Sequence, residues 1–428
     1  MNQSVSGSVR LRGTLSLPPD KSISHRAALF AAIADGRSVI GNYSPAADPQ
    51  STLRCLQQLG VPVDRENGSV QISGVGRDGL QVPRGDLDCG NSGTTMRLLT
   101  GMLAGAGIPA RLTGDASLSG RTMKRIIDPL ARMGAVISGT KGEYAPLVIE
   151  NRQRIRGIRY PLPIASAQLK SAVLLAGLFG EDDTEVVERF PSRDHTERLL
   201  QLRVEPYEGG RIIRSSKDDP LPEQNYTVPG DFSAAAFWLV AGAVHPDAEI
   251  VLAGMGLNPS RTAALQVLQE MGADIEIEES GESGSEPLGT VTVRSSELRA
   301  VKLDPDLVPN CIDELPVLMV AMCFAEGRSD ISGAGELRHK ETDRLRAMAA
   351  VLASAGETFE ISEDGIRISG RGIHRPAPAR YQSEHDHRIA MAAAVMALMS
   401  DGNSVINDAE ATAISYPGFW TDLERLTD

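Results

Sequence analysis

Internal repetition constrains this chain more than any other feature. One unit, an amphipathic helix followed by a turn and two short alternating strands, recurs six times. It reads STLRCLQQLGVPVDRENGSVQIS from Ser51 and MKRIIDPLARMGAVISG…APLVIE from Met123. A weaker copy, TERLLQLRVEPYEGGRIIRSS, starts at Thr196. RTAALQVLQEMGADIEIEE…TVTVRSS follows from Arg261, and DRLRAMAAVLASAGETFEISEDGIRISG from Asp343. The sixth, YPGFWTDLERLTD from Tyr416, supplies only the helix. Its strands are expected at the other end, where SVSGSVRLRGTLSLPPD (Ser4 to Asp20) reads as two strands with no helix before them.

Closing the chain in this way puts residues 1–18 and 231–428 in one domain and inserts 19–230 as a second. The crossings fall near 18–21 (LPPDKS) and 228–232 (VPGDFS), where Pro or Gly stands beside Asp as a hinge would. The expected fold is α/β, with two similar domains of three repeats each and a cleft between them. A length of 428 residues also asks for more than one core.

Between the repeats run Ala-rich helices that are apolar nearly all round, which predicts burial. Their first residues are polar or charged. They are Lys21, Ser22 and Arg26 in PDKSISHRA, then Gly90, Asn91, Gly93, Thr94 and Arg97 in CGNSGTTMR. Ser166, Gln168 and Lys170 open IASAQLKSAVL, and Asp313 and Glu314 open CIDELPVLMVA. His385, Asp386, His387 and Arg388 open HDHRIAMAAAV. Capping explains Ser, Thr, Asn and Asp at such places. It does not explain Lys and Arg, which the helix dipole disfavours there. Cations at four of the five starts predict a bound anion.

In GELRHKETDRL the spacing predicts a helix starting near Lys340, with Lys340, Glu341 and Arg344 on one face. One reading is a solvated helix start with an ordinary Glu341–Arg344 surface pair. The other is an anion site in which Glu341 moves a proton. The net charge of −13 argues against nucleic acid or an anionic membrane as partner. MNQSVSGSVR is no signal peptide and no apolar run reaches membrane length, so a cytoplasmic location is expected. The four cysteines have no paired spacing, and the seven histidines form no metal motif beyond HDH. GNSGTTMR lacks the ending of a Walker loop.

PDKSISHRA, GNSGTTMRLL, GDASLSGRTM, PIASAQLKSAVLLAGL, SRDHTERLL, PGDFSAAAF, IDELP, ELRHKETDRL and DHRIAMA together resemble the 5-enolpyruvylshikimate-3-phosphate synthase family, over almost the whole chain. The resemblance implies two domains of three βαβαββ units. It implies transfer of the enolpyruvyl group of phosphoenolpyruvate to the 5-hydroxyl of shikimate 3-phosphate, on the route to chorismate and the aromatic amino acids. Closure of the two domains over the substrates would exclude water.

By the same resemblance, Lys21, Ser22, Arg26, Ser166, Ala167, Gln168, Arg193, Asp313 and Lys340 hold shikimate 3-phosphate. Lys21, Gly93, Arg121, Gln168, Arg344 and Arg388 hold phosphoenolpyruvate. Asp313, Glu341 and Lys21 are the catalytic residues. No metal or cofactor is implied, and the chain is expected to be a monomer. Ile414 stands where one branch of the family has a lysine, which points to glyphosate tolerance, whereas Gly93 stands where tolerant members often carry alanine. Three alternatives stay open: a sister transferase acting on UDP-N-acetylglucosamine, a non-catalytic anion-binding protein, and an RNA-end-processing relative. The sister enzymes carry a loop cysteine near GDASLSGRTM, and that segment has none here.

Overall fold

A computed structural model describes residues 1–66, 68–150 and 153–427. Asn67 and Asp428, which belong to the first and sixth repeats, lie outside them. The chain forms two compact units. One comprises Met1–Pro18, Pro229–Gly281 and the chain from Pro287 onward; the other comprises Pro19–Val228 with Glu282–Glu286. The short return at 282–286 is the tip of the hairpin between strands Asp274–Ser283 and Glu286–Arg294. Ser283 Oγ meets both the N–H (3.1 Å) and the carbonyl (2.7 Å) of Thr227 there.

Six small sheets are present among the described residues, three in each unit. In the second unit all three share one order. A short strand runs parallel to a neighbour, which lies antiparallel to the second strand of a hairpin whose first strand forms the far edge. Leu87–Asp88 thus pairs parallel with Ala110–Thr113, which pairs antiparallel with Tyr144–Ile149, and Ile137–Thr140 closes the edge. Each hairpin is preceded by the helix of its repeat, and two of the three parallel pairs are joined through a buried helix. Sequence alternation accounts for this: the hairpin strands expose one face, and the helices between them are apolar all round.

The N-terminal strands correct one sequence expectation. Asn2–Ser6 and Leu11–Ser16 do not pair with each other, and only the first completes the sixth repeat. Asn2–Ser6 lies antiparallel to Asn403–Asn407, in the slot of the missing hairpin strand. Leu11–Ser16 lies parallel to Ala248–Gly256, in the fourth repeat. The segment between them is tied elsewhere, Gly7 N to Gly402 O and Ser8 N to Leu398 O, both at 3.2 Å. A side chain at Gly7 would strike the Ser400 carbonyl, so this close approach requires glycine. Tyr226–Thr227 fills the corresponding parallel slot beside Arg37–Gly41 in the second unit. At the two crossings, then, the strand preceding each helix pairs in the unit that the chain is leaving.

Two buried helices of the second unit, Gly93–Ala106 and Ala167–Gly177, pack unusually closely. A Cβ at Gly101 would collide with the backbone of Ala172, and one at Gly105 would lie 2.7 Å from Ala176 O. Helix propensity favours alanine over glycine by about 0.8–1 kcal/mol, whereas overpacking a core costs about 1–3 kcal/mol. The contact is with backbone, which cannot rotate away, so overpacking wins. Gly101→Ala is expected to lower the urea unfolding free energy by up to about 2 kcal/mol; a gain in stability would show that the helices have room to separate.

Candidate active site

The two units carry separate clusters. In the second unit, the starts of three buried helices come together. Asp20 caps Lys21–Ile33, accepting from Ile23 N at 2.8 Å, while Ser92 and Ser166 cap the Gly93 and Ala167 helices. Hydroxyls bridge the helices. His25 Nδ1 lies 2.7 Å from Thr52 Oγ1, which lies 2.8 Å from Thr95 Oγ1. Thr196 Oγ1 lies 2.7 Å from Ser171 Oγ and accepts from Arg26 Nε at 2.9 Å.

Arg26 is almost fully buried, yet each of its hydrogen bonds ends on a neutral oxygen: Thr196, Ser171 and the Ser22 carbonyl. Burial pulls its pKa down to about 10. A buried guanidinium without a hydrogen-bonded carboxylate suits an anionic ligand. Lys21 Nζ instead meets Asp48 Oδ2 at 3.0 Å. Gln168 accepts from Arg97 Nη1 (2.6 Å) and donates to Thr94 Oγ1 (2.9 Å). Arg121 Nη2 donates to Asn91 Oδ1 at 2.7 Å and to Ser117 Oγ at 3.1 Å. A Cβ on Gly93 would come within 2.7 Å of Arg97 Nη1, so any side chain there disturbs the group that holds Gln168.

His25 gives this cluster an acid limit. It is fully buried, and burial lowers its pKa to about 3. The folded protein keeps it neutral while the unfolded chain protonates near 6.5, so its contribution is intact above 6.5 and is lost as pH falls. Between pH 6.5 and 5 the loss is about 2 kcal/mol. His25→Gln is expected to flatten the stability–pH curve by about that much in urea titrations. Parallel curves for both proteins would contradict this.

In the first unit the cluster centres on Arg344. Here the structure corrects the predicted helix start. The helix spans Arg344–Ser354, capped by Asp343, whose side chain accepts from Arg346 N. Lys340 is extended and ends a 3-10 turn, Gly335–His339. Asp343 captures the free N–H groups, so Lys340 and Glu341 precede the helix rather than ride on its face.

Arg344, 1% exposed, meets Asp386 Oδ2 at 2.8 Å, Glu341 Oε2 at 2.6 Å and Asp313 Oδ1 at 3.4 Å. Burial works against its charge, but Asp386, Glu341 and Asp313 outweigh it and raise its pKa above the ordinary value. Lys340 Nζ lies 3.7 Å from Asp313 Oδ1, and Arg388 Nη2 lies 3.9 Å from Asp313 Oδ2. Arg388 also donates to the Asp313 carbonyl (3.0 Å) and to Ser233 Oγ (3.1 Å). Beneath them, buried Glu314 accepts from Arg261 Nη1 at 3.0 Å and from Ser233. In this unit the chain's own carboxylates supply part of the negative charge that the sequence argument assigned to a ligand.

The structure therefore gathers Lys21, Ser22, Arg26, Gly93, Arg121, Ser166, Ala167, Gln168 and Arg193 on one unit. Asp313, Lys340, Glu341, Arg344 and Arg388 lie on the other. The sequence assigned nothing to Asp48, Ser233 or Arg261, and marked Arg97 and Asp386 only as polar residues of helix starts. Asp386 had a signal as the cap of the His387–Leu398 helix, whereas Arg261 had none. All four cysteines are buried, and none is in a disulfide. Among the described residues no group of His, Cys, Asp and Glu is arranged to hold a metal, and no helix is long and apolar enough to cross a membrane.

The sequence pattern of the EPSP synthase (3-phosphoshikimate 1-carboxyvinyltransferase) family matches residues 5–423. A 3-phosphoshikimate 1-carboxyvinyltransferase of Salinibacter ruber is 50% identical over the full length of both chains, and one of Herpetosiphon aurantiacus is 49% identical, also over both full lengths. The EPSP synthase of Acinetobacter baumannii superposes with a TM-score of 0.88 at 40% identity, covering 99% of this chain and 98% of that one. An enolpyruvyl transferase of Streptomyces tendae shares the fold alone, with a TM-score of 0.76 at 16% identity over 99% of this chain and 96% of its own. The chain is an α/β protein of the enolpyruvyl transferase fold and belongs to the EPSP synthase (3-phosphoshikimate 1-carboxyvinyltransferase) family.

Proposed function

We propose that this chain transfers the enolpyruvyl group of phosphoenolpyruvate to the 5-hydroxyl of shikimate 3-phosphate and releases phosphate, a step of aromatic amino acid biosynthesis. The observation that carries the reading is the pairing of Asp313 and Glu341 on one buried arginine, with Lys340 and Arg388 beside them. Binding anions calls for cations; two carboxylates among them suit proton transfer. Family membership supports the same reading.

In this reaction the 5-hydroxyl adds to C2 of phosphoenolpyruvate while a proton arrives at C3, and phosphate then leaves. Asp313 takes the hydroxyl proton. Glu341 delivers and then recovers the methyl proton, and Lys21 serves the phosphate oxygen. Arg344, Arg388, Arg121, Gln168 and Gly93 bind phosphoenolpyruvate. Ser22, Arg26, Ser166, Ala167, Gln168 and Arg193 bind shikimate 3-phosphate, helped by Lys340. Residues 1–18 and 231–428 form the phosphoenolpyruvate side and 19–230 the shikimate 3-phosphate side, and closure during turnover excludes water. The enzyme acts as a cytoplasmic monomer, with no nucleic acid or membrane partner.

The test is phosphate release from phosphoenolpyruvate with shikimate 3-phosphate or UDP-N-acetylglucosamine as acceptor. Release with the first alone is expected. Release with the second alone would make the chain a sister transferase, and release with neither would favour an anion-binding protein.

A further inference from the structure

Outside the groups assigned a step, the second unit holds a buried ionic cluster around Lys170. This lysine lies in the first turns of the Ala167–Gly177 helix, and its side chain is fully buried. Its Nζ lies 3.0 and 3.2 Å from the two oxygens of Glu188, 2.6 Å from Glu197 Oε1 and 3.3 Å from the Ser192 carbonyl. Arg211 Nη2 reaches Glu188 Oε2 at 2.6 Å and the Ser192 carbonyl at 3.3 Å. Ser192 N donates to Glu188 Oε1 at 3.0 Å. Two cations thus face two carboxylates.

Such a cluster is poor value for stability, because well-packed apolar side chains generally do as well. What it adds is direction: Lys170 Nζ, both oxygens of Glu188 and Glu197 Oε1 each have an assigned partner. Both backbone groups of Ser192, immediately before Arg193, are pinned by it. Glu197 extends the cluster to the His195–Leu199 helix, whose Thr196 holds Arg26. On the opposite side, Lys170 N is bonded to Ser166 O at 3.0 Å, at the helix start that presents Ser166, Ala167 and Gln168.

We propose that Lys170 is a positioning residue that fixes the Ser192–Arg193 segment relative to the Ser166–Gln168 helix start, and so sets the spacing of two arms of the shikimate 3-phosphate site. The proposal rests on the function proposed above. A lysine that merely stabilised the fold would affect both substrates alike; a lysine that positions Ser192 and Arg193 acts chiefly on shikimate 3-phosphate, the one substrate assigned to Arg193.

The experiment measures KM for each substrate by phosphate release, together with the thermal unfolding midpoint. It compares wild type, Lys170→Met and the double variant Lys170→Met/Glu197→Gln, which leaves no surplus buried carboxylate. Lys170→Met is expected to raise KM for shikimate 3-phosphate at least tenfold and to keep KM for phosphoenolpyruvate within twofold. The double variant is expected to regain much of the lost midpoint but not the lost KM, and it decides the matter if the single variant does not fold. An equal rise in both KM values, or recovery of KM along with the midpoint, would overturn the proposal. Unchanged KM values beside an active wild type would overturn it and leave the function standing. An inactive wild type would reject both.

Discussion

Arg344→Leu is expected to destabilise the fold by about 3–5 kcal/mol and to abolish turnover. Arg344 and Asp386 are 1% and 0% exposed, so removing the guanidinium strands a carboxylate that water cannot reach. Asp386 Oδ1 still accepts from Arg388 N at 2.8 Å, a bond that offsets only part of the loss. Glu341 and Asp313 lose the cation that orients both of them. Arg344→Lys keeps the charge but offers no planar fork to three carboxylates, so partial stability without normal turnover is expected. Urea titration and phosphate release check both variants. An unfolding free energy within 1 kcal/mol of wild type (about the worth of an exposed ion pair) would mean that Arg344 is not the hub of this cluster.

Glu341→Gln is expected to lower turnover by about 10²–10⁴-fold with little loss of stability. The carboxylate is about a quarter exposed, and glutamine retains an acceptor for Arg344 Nη2. The informative readout is exchange of the C3 protons of phosphoenolpyruvate with deuterated solvent, in the presence of shikimate 3-phosphate. Exchange should vanish with turnover, because the same carboxylate delivers and recovers that proton. Exchange at the wild-type rate would remove Glu341 from the step and move attention to Asp313.

Much of this architecture was legible in the residues. The repeats set out from Ser51, Met123, Thr196, Arg261 and Asp343 each have their helix and two strands, because amphipathic period and turn chemistry are local properties. Capping residues at Ser166 and Asp386 were visible for the same reason, whereas Asp20 and Ser92 emerged as caps only in the structure. Partner choice was not local. Alternation in Leu11–Ser16 marks a strand, but nothing in it states that the neighbour is Ala248–Gly256 rather than Asn2–Ser6.

Charges posed a similar problem. Lys340 and Arg344, four apart, read as one helical face until Asp343 took the cap and placed them on different backbone. Lys170 read as one more cation at a helix start. Its carboxylate partners at Glu188 and Glu197 come from a strand and a short helix, a pairing that only the fold creates.

Enolpyruvyl transfer by addition and elimination can be tested through the position of one oxygen. Phosphoenolpyruvate carrying ¹⁸O in its C–O–P bridge would be turned over with shikimate 3-phosphate and the products weighed. Elimination from C2 breaks the carbon–oxygen bond, so the label is expected in the released phosphate, with an unlabelled enolpyruvyl group on the acceptor. Label retained in a three-carbon product, with unlabelled phosphate, would mean cleavage at phosphorus and would contradict it.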